Sequence, residues 1–528
     1  VNLEQVRELW PFLTAEERVQ VWAEVQKDGA LWRPFPGPQS LAYDCQADVI
    51  GYGGAAGGGK SALIAGWALE KSERMLVLRS DKAQTAGVIQ YLEEVLGTDK
   101  GLNRQIGFWN IPNKLQTLVE FGGLKDPGAH KVWQGRAHDK VAVDEATECR
   151  EYQVRFVIGW NRSSNPALKP QTLLTFNPPM DAKGRWIIAF FAPWLDRKHP
   201  HPALPGELRW FTSRDDQPDY EVPDGRPFVW GPDKSPVYQI PPGTLPVDVI
   251  QPQSRTFYPA RVTDNPVYMA TNYLSTLQAL QEPMRSKMLY GDFDAGVEDS
   301  EWQCIPTAWI EAAMARWKKP DVLEPMDCMG VDVARGGKDS TVLAMRHGNW
   351  FDELVVIPGK DCRDGFRVLA AVAEHLRDDA MVAIDVVGVG ASPFDLLRER
   401  KYRTMGVVAG ATATGSPRKG RLRFFNTRSQ LVWQFRELLD PEANNGVALP
   451  PDRALLADLC AYWWRPSGDA IQVASREEII DEIGRSPDRA TAVIQAAIPT
   501  VPSRVLAERR LEARKRKGRR TYNPIEGF

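Results

Sequence analysis

The chain has 528 residues, 43% of them hydrophobic and 25% charged, with a formal net charge of −2. That length exceeds what one hydrophobic core serves, so at least two domains are expected. The near balance of charge excludes a globally basic nucleic-acid coat and leaves any such binding to local patches. The six cysteines (Cys45, Cys149, Cys304, Cys328, Cys362 and Cys460) are scattered, with no C-x-x-C pair, which points to a reducing compartment and away from a zinc site. No apolar run approaches the ~18–20 residues of a membrane span, and the N-terminus lacks a signal-peptide pattern, so the expectation is a cytosolic protein.

Taken in order, residues 1–28 read as two short amphipathic helices, with Thr14 and Glu17 forming a capping box for the second. A Pro/Gly-rich stretch, Pro34–Pro38, ends them. Residues 39–195 alternate apolar β-like and helical segments: strands near Val49–Tyr52, Met75–Leu78, Val141–Val143 and Thr172–Thr175, helices from Ala62 and across Ala83–Leu96. Such alternation predicts a parallel sheet flanked by helices. Residues 196–260 are rich in Pro, Asp and Gly and read as hairpins and loops, and 265–292 turns helical again. A second β-rich unit starts near residue 325. Its paired strands are Cys328–Ala334 and Ser340–Met345, followed by a helix at Phe366–Arg377 and a strand at Met381–Asp385. Further helices are expected near 427–440, 452–460 and from Asp488, before the basic segment Arg504–Arg520. The expected division is a helical segment (1–30), a first α/β unit (31–195), an insert and linker (196–310), a second unit (311–500) and a basic tail (501–528).

Gly54-Ala55-Ala56-Gly57-Gly58-Gly59-Lys60-Ser61 fits G-x-x-x-x-G-K-[ST] between a strand and a helix. Gly54, Gly57, Gly58 and Gly59 let backbone N–H groups turn toward a phosphate. The helix N-terminus adds its positive end. Lys60 reaches the β- and γ-phosphates and the Ser61 hydroxyl ligates Mg²⁺ of a bound ATP. The acids Asp144 and Glu145 end an apolar strand, where α/β proteins bind ligands. Asp144 suits Mg²⁺ held through water and Glu145 suits activation of the attacking water. Asn177 ends the next strand, either to sense the γ-phosphate or as an ordinary Asn-Pro turn. For the arginine that phosphoryl transfer favours, Arg136 is the first choice, with Arg162 and Arg79 as alternatives. Gln39 precedes the loop and is placed either at an adenine edge or in a turn.

In the second unit, Asp332 lies inside an apolar strand, where a charge is costly unless it binds a cation. Asp385 ends another apolar strand, and Asp488 opens a helix, where an Asp is also an ordinary first residue. Two strand carboxylates and one helix carboxylate converge on two Mg²⁺ or Mn²⁺ ions in a two-metal nuclease. Asp339 is a candidate fourth acid.

These motifs in this order resemble the large terminase subunit of tailed bacteriophages over roughly residues 30–500. The marks are Pro36-Gly37-Pro38-Gln39, the phosphate loop, Gly135-Arg136 before Asp144-Glu145, Thr175-x-Asn177-Pro178, Asp264-Asn265-Pro266 and Tyr290-Gly291-Asp292-Phe293. In the second unit they are Gly330-Val331-Asp332 with Gly337, Asp339 and Thr341, then Asp385-x-x-Gly388-x-Gly390 and Ser486-Pro487-Asp488-Arg489-Ala490. The resemblance implies an α/β fold: an ASCE-type P-loop ATPase with a small lid subdomain, followed by a ribonuclease H-like nuclease. It implies Gln39 at the adenine, Lys60 and Ser61 at phosphate and Mg²⁺, Asp144 and Glu145 as the Walker B pair, Asn177 in coupling, and Asp332, Asp385 and Asp488 as nuclease metal ligands. It further implies ATP-driven packaging of double-stranded viral DNA through a portal protein, with a small terminase subunit as partner. The motor would be a homo-oligomeric ring, a pentamer, working in the host cytoplasm. Two departures stand out. Many members carry an arginine inside the phosphate loop, where this chain has Ala55-Ala56-Gly57-Gly58, and the last motif often has an Asp where this chain has Thr491. A cellular helicase with an appended nuclease is the alternative, and it would carry further helicase motifs. A scaffold with a dead P-loop would have no need of Lys60, Glu145 and the three nuclease acids.

Overall fold

The computed structural model describes residues 6, 9–25, 30–214, 217–294, 299–334, 339–501 and 505. The Arg335–Lys338 loop with Gly337, most of the first N-terminal helix and the basic segment Arg504–Arg520, Val505 excepted, lie outside the described residues. The chain divides into two compact units, Val1–Glu298 and Asp299–Phe528.

In the first unit, α1 (Ala15–Val25) starts at the expected capping box. Thr14 N–H donates to Glu17 Oε2 at 2.8 Å and Glu17 N–H to Thr14 Oγ1 at 3.3 Å. The short α2 (Pro38–Asp44) leads to β1 (Val49–Gly54), buried along its whole length, and α3 (Lys60–Glu70) follows the glycine loop. The remaining strands are β2 (Arg74–Arg79), β3 (Leu102–Asn103), β4 (Phe108–Asn110), β5 (Leu118–Gly123), β6 (Lys140–Val143), β7 (Gln171–Phe176), β8 (Arg209–Arg214), β9 (Gln217–Val222), the β10–β11 hairpin (Val229–Trp230, Pro236–Val237) and β12 (Gln253–Ala260). Ten of them form one sheet in the order β3-β4-β5-β2-β6-β7-β1-β12-β8-β9. The central run β5-β2-β6-β7-β1-β12 is parallel, so all its carboxyl ends lie on one edge. Strand β7 stands between the phosphate-loop strand β1 and the acid-bearing strand β6, which is the ASCE arrangement. One core layer packs α3 and α4 (Ala86–Leu96) on one face. The other face is covered by α5 (Glu151–Ile158) and the aromatics Trp186, Phe190 and Phe191.

The structure amends the reading of 196–260 as hairpins and loops. Strand β12 lies in the sheet beside β1, with Val49 opposite Arg255 and Gly54 opposite Ala260. Its pattern is masked by Arg255, a charged residue in a central strand. That guanidinium is 4% exposed, pairs with Asp219 at 2.6 Å and lies 3.8 Å over the Phe190 ring. A buried arginine is tolerated when paired and stacked, and hydropathy cannot register either.

In the second unit, β13 (Cys328–Asp332), β14 (Ser340–His347), β15 (Trp350–Phe351), β16 (Val355–Pro358), β17 (Met381–Asp385) and β18 (Thr404–Val407) form one sheet in the order β15-β14-β13-β17-β18, with β16 also on β14. Strand β14 is antiparallel to β13, while β17 and β18 run parallel to it, a ribonuclease H-like topology. Helices α6 (Gly365–His375) and α7 (Ala391–Glu399) pack on one another, and α8 (Thr427–Leu439), α9 (Arg453–Cys460), α10 (Arg476–Ile483) and α11 (Asp488–Ala496) follow. A small sheet β19-β21-β20 (Arg423–Phe424, Ala470–Val473, Trp464–Ser467) completes the unit.

Helix α11 lies directly on β13. A Cβ added to Gly330 would stand 2.0 Å from the Ala492 carbonyl oxygen and 2.5 Å from Ala496 N. Only glycine permits that approach. The expected position of Asp332 is corrected as well: it is the last residue of β13, not a mid-strand one.

Candidate active sites

The first site gathers at the carboxyl edge of the large sheet. Gly54, Gly57 and Gly59 all have positive φ (101°, 78° and 80°), which bends the loop back over the start of α3. Gly58 is fixed by crowding instead: a Cβ there would stand 2.8 Å from Ala260 Cβ. The Tyr52 hydroxyl donates to the Gly58 carbonyl at 2.6 Å and the Asn265 amide to the Gly57 carbonyl at 2.9 Å. Ala55 N–H donates to Ala260 O and Ala56 N–H to Met288 O. Gly291 approaches Gly54 so closely that a Cβ would stand 2.8 Å from the Gly54 carbonyl carbon. Asn265 and Gly291 therefore hold the loop from the following segment, a role their sequence motifs alone did not reveal.

Lys60 and Ser61 open α3, with the Gly59 N-cap left-handed. Lys60 Nζ donates to Asn177 Oδ1 at 2.6 Å and to the Ala55 carbonyl at 3.3 Å, and lies 3.6 Å from Glu145 Oε1. Asn177 Nδ2 in turn donates to Glu145 Oε1 at 3.3 Å. Glu145 has φ 48°, left-handed for a non-glycine residue. Such strain costs on the order of 1–3 kcal/mol and concentrates at functional sites. Burial pushes the Glu145 carboxyl above its ordinary value, against the pull of the Lys60 ammonium, and the Asp144 charge adds to the rise. Asp144 accepts from the fully buried Thr175 hydroxyl at 2.7 Å and lies 3.5 Å from Arg79 Nε. Thr175 was not expected here. It follows from register, since β7 runs beside β6 and delivers Thr175 and Asn177 to the two acids.

Two expectations change. Arg136 precedes β6, at the amino end of a four-residue strand whose other end carries Asp144. At about 3.3 Å per residue, on the order of 13 Å separates the two ends. Arg136 pairs there with Glu120 at 3.0 Å, and Arg162 donates to Gly135 O beside it. Neither reaches the phosphate loop of its own chain; Arg79, the last residue of β2, does stand at the acids. Gln39 is 2% exposed and has both amide atoms engaged, accepting from Phe35 N–H at 2.6 Å and donating to the Gly59 carbonyl at 2.9 Å. As folded it braces the loop and offers no free edge to a base.

The second site follows from register and helix rise. Val331 pairs with Ile384 in parallel, which sets Asp332 and Asp385 side by side on adjacent strands, facing the same way. That face carries Gly330 and hence α11. From Ala492, over Gly330, one helical turn back leads to Asp488, about 6 Å along the axis. Two strand residues on from Gly330 lead to Asp332, about 6.6 Å. The two steps match, so Asp488 comes to the end of the sheet that carries Asp332 and Asp385. Asp332 is held well above the ordinary carboxyl range, first by burial, then by the neighbouring Asp488 charge, with a hydrogen bond donated by its protonated carboxyl to Asp488 and the Asp385 charge adding. Asp488 Oδ2 accepts from Ser340 N–H at 2.9 Å, while its buried Oδ1 has no hydrogen-bond partner. Asp385 Oδ1 accepts from Val387 N–H at 2.9 Å. Asp339 is drawn in by Arg476, whose Nη2 lies 3.1 Å from Asp339 Oδ2 and 3.7 Å from Asp488 Oδ1. No sequence spacing pointed to Arg476. Among the described residues no three Asp, Glu, His or Cys side chains are drawn together closely enough to hold an ion as they stand. The Arg476 guanidinium is the cation among them. Hard carboxylate donors with one orphaned buried oxygen fit Mg²⁺ or Mn²⁺ in kind.

No family model matches the chain and no curated protein matches it. Among solved structures, it is similar to the large terminase of a thermophilic bacteriophage in complex with ATP-gamma-S, at 12% identity over 87% of this chain and 98% of that one, TM-score 0.31. It is also similar to the nuclease domain of the large terminase subunit of bacterial virus Sf6, at 17% identity over 38% of this chain and 100% of that one, TM-score 0.31. A third such structure is the large terminase nuclease of the thermophilic phage G20c with bound magnesium, at 18% identity over 34% of this chain and 82% of that one, TM-score 0.24.

Proposed function

We propose that this chain is the large terminase subunit of a tailed bacteriophage, an ATP-driven translocase of double-stranded viral DNA with its own metal-dependent endonuclease. The observation that supports it most is the pairing in one chain of two complete sets of groups. One is Lys60, Asn177, Glu145 and Asp144 at an ASCE sheet edge; the other is Asp332, Asp385 and Asp488 at a ribonuclease H-like sheet edge. A helicase with an appended nuclease would use both sets as well, but it would carry further helicase motifs, and the sequence shows none.

In the ATPase, Lys60 neutralises phosphate charge and the loop N–H groups orient it. Asp144 and Ser61 would hold Mg²⁺, which supplies charge neutralisation at the β- and γ-oxygens. Glu145, with its proton affinity raised by burial, orients and deprotonates the attacking water. Asn177 touches both Lys60 and Glu145, so occupancy of the phosphate site alters its contacts. In the nuclease, Asp332, Asp385 and Asp488 would hold two divalent ions that supply an activated water and stabilise the leaving 3′ oxygen. The working assembly is a homo-oligomeric ring, a pentamer, docked on the portal in the host cytoplasm and served by a small terminase subunit. Nuclease limits of 311–500 belong to this proposal, and the ATPase core takes 31–195 together with strands β8, β9 and β12 of the 196–310 stretch.

The test is a separation of activities. Glu145→Ala is expected to abolish ATP hydrolysis and leave plasmid cutting in Mn²⁺ or Mg²⁺ intact, and Asp332→Ala to do the reverse. One folded variant losing both activities would replace the two-site account.

A further inference from the structure

We propose that the stretch 408–423 is a DNA-backbone arm of the nuclease, gripping duplex phosphates on one side of the cut. The inference rests on the nuclease reading above. In a chain of net charge −2, Val408–Arg423 contains no acid and four cations, Arg418, Lys419, Arg421 and Arg423. All four are exposed. Lys419 lies 2.9 Å from Glu442 and Arg423 3.3 Å from Asp469. The guanidinium groups of Arg418 and Arg421 are in no ion pair among the described residues.

Position gives the run its meaning. Asp385 pairs with Val407 in parallel, and Val386 N–H donates to Val407 O at 3.0 Å, so the arm leaves the sheet one residue past the level of a candidate metal ligand. It is then fastened along α8. Arg428 N–H donates to Ala409 O and Thr427 N–H to Ala411 O. Gln430 Oε1 accepts from both Thr414 and Gly415 N–H at 2.9 Å, and Glu437 Oε1 accepts from Arg418 N–H at 2.8 Å. The interval along α8 from Arg428 to Glu437 is about 14 Å. The arm thus runs on the order of 14 Å along α8 from its fastening at Ala409, two residues past the level of Asp385, to its first cation, Arg418. Backbone-fixed cations at a set distance from a cutting centre position a duplex without reading its sequence.

The experiment is anisotropy of a labelled random-sequence duplex bound to the full chain in EDTA, over a salt series, for wild type, Arg418→Ala/Arg421→Ala and Arg418→Lys/Arg421→Lys. The alanine pair is expected to weaken binding roughly tenfold or more at low salt and to reduce the log–log salt slope by about 2, with the lysine pair close to wild type. Equal affinity and equal slope for the alanine pair would overturn the arm and leave a solvated loop. Cutting in Mn²⁺ near a duplex end gives the spacing. Wild type is expected to cut poorly when the duplex ends close to the cut on the arm side, whereas indifference to end distance would place the arm off the duplex. Because affinity is read without metal, a protein that binds through the arm yet never cuts sinks the nuclease reading and spares the arm.

Discussion

Lys60 Nζ donates to Asn177 Oδ1 across 2.6 Å, and the same Asn177 donates back to Glu145, the acid 3.6 Å from that ammonium. A phosphate is the stronger anion for Lys60, so nucleotide binding is expected to break the Lys60–Asn177 contact and leave Asn177 on Glu145 alone. Asn177→Ala then leaves Glu145 without its orienting partner. Nucleotide affinity should change little, while hydrolysis falls at least about tenfold, read as phosphate release against binding of a fluorescent ADP. Equal loss of both would mean that Asn177 merely supports the loop.

Arg79 and Arg136 separate by the end of the sheet each occupies. Arg79→Ala removes the only cation 3.5 Å from Asp144 among the described residues and should lower ATP turnover at least about a hundredfold, even at dilutions that keep the chain monomeric. Arg136→Ala should leave that monomeric rate alone. If Arg136 serves a neighbour, a mixture with wild type in the assembled ring loses rate out of proportion to the fraction mutated; a strictly proportional loss leaves Arg136 with Glu120 and no part in hydrolysis.

Legibility followed the range of the cause. The phosphate loop, Asp144-Glu145, Asp385 and Asp488 stood out because each sits at a strand end or helix start that short apolar runs announce, and Asp332 because it reads as a charge within an apolar strand. Thr175, Asn265 and Arg476 could not, because what gives them meaning lies in other elements: β6 beside Thr175, Gly57 beside Asn265, Asp339 and Asp488 beside Arg476. Gln39 was placed at the adenine on its nearness in sequence to the loop, yet the fold turns its amide onto Gly59. Gly330 stood in a recognised motif, but its cause, the backbone of α11 against β13, appears only in three dimensions.

That contact makes Gly330→Ala a sharp test of the packing. The Cβ would meet backbone at 2.0 Å, and backbone cannot swing aside. Loss of at least about 2 kcal/mol is expected, seen as a lower thermal midpoint together with weaker Mn²⁺ binding, because α11 carries Asp488. A stability equal to wild type would show that α11 sits farther from β13.

Asp458 is fully buried, pairs with Arg485 and accepts from Arg489 N–H at 3.2 Å, yet burial outweighs both arginines and pushes its carboxyl up to about 6. The native state therefore holds this proton through a range in which the unfolded chain, near 3.9, has released it. Stability from this group is fully present below about pH 4 and is lost as pH rises through about 6, an order of magnitude of about 3 kcal/mol. In denaturant melts the stability of wild type should fall by up to about that amount more than that of Asp458→Asn between pH 4 and pH 7. Parallel curves would place the Asp458 carboxyl at an ordinary value.

Arg476 stands among carboxylates that a metal centre would claim. Its guanidinium spans Asp339 and Asp488, and its charge lowers the proton affinity of Asp332 and Asp339 against the rise from burial. Divalent ions entering this cluster compete with it, both for the same oxygens and through like-charge repulsion. In Arg476→Gln the acids keep a hydrogen-bonding neighbour of similar reach and lose the competing charge. Without metal the variant should melt below wild type, because clustered carboxylates are left less neutralised. With Mn²⁺ its midpoint should climb further than wild type's, since tighter binding to the native state adds stability by mass action. Titration calorimetry of Mn²⁺ should show the same tightening directly. An Mn²⁺-induced rise no larger than wild type's, with unchanged affinity, would mean that Arg476 sits beside the ion positions and leaves them open.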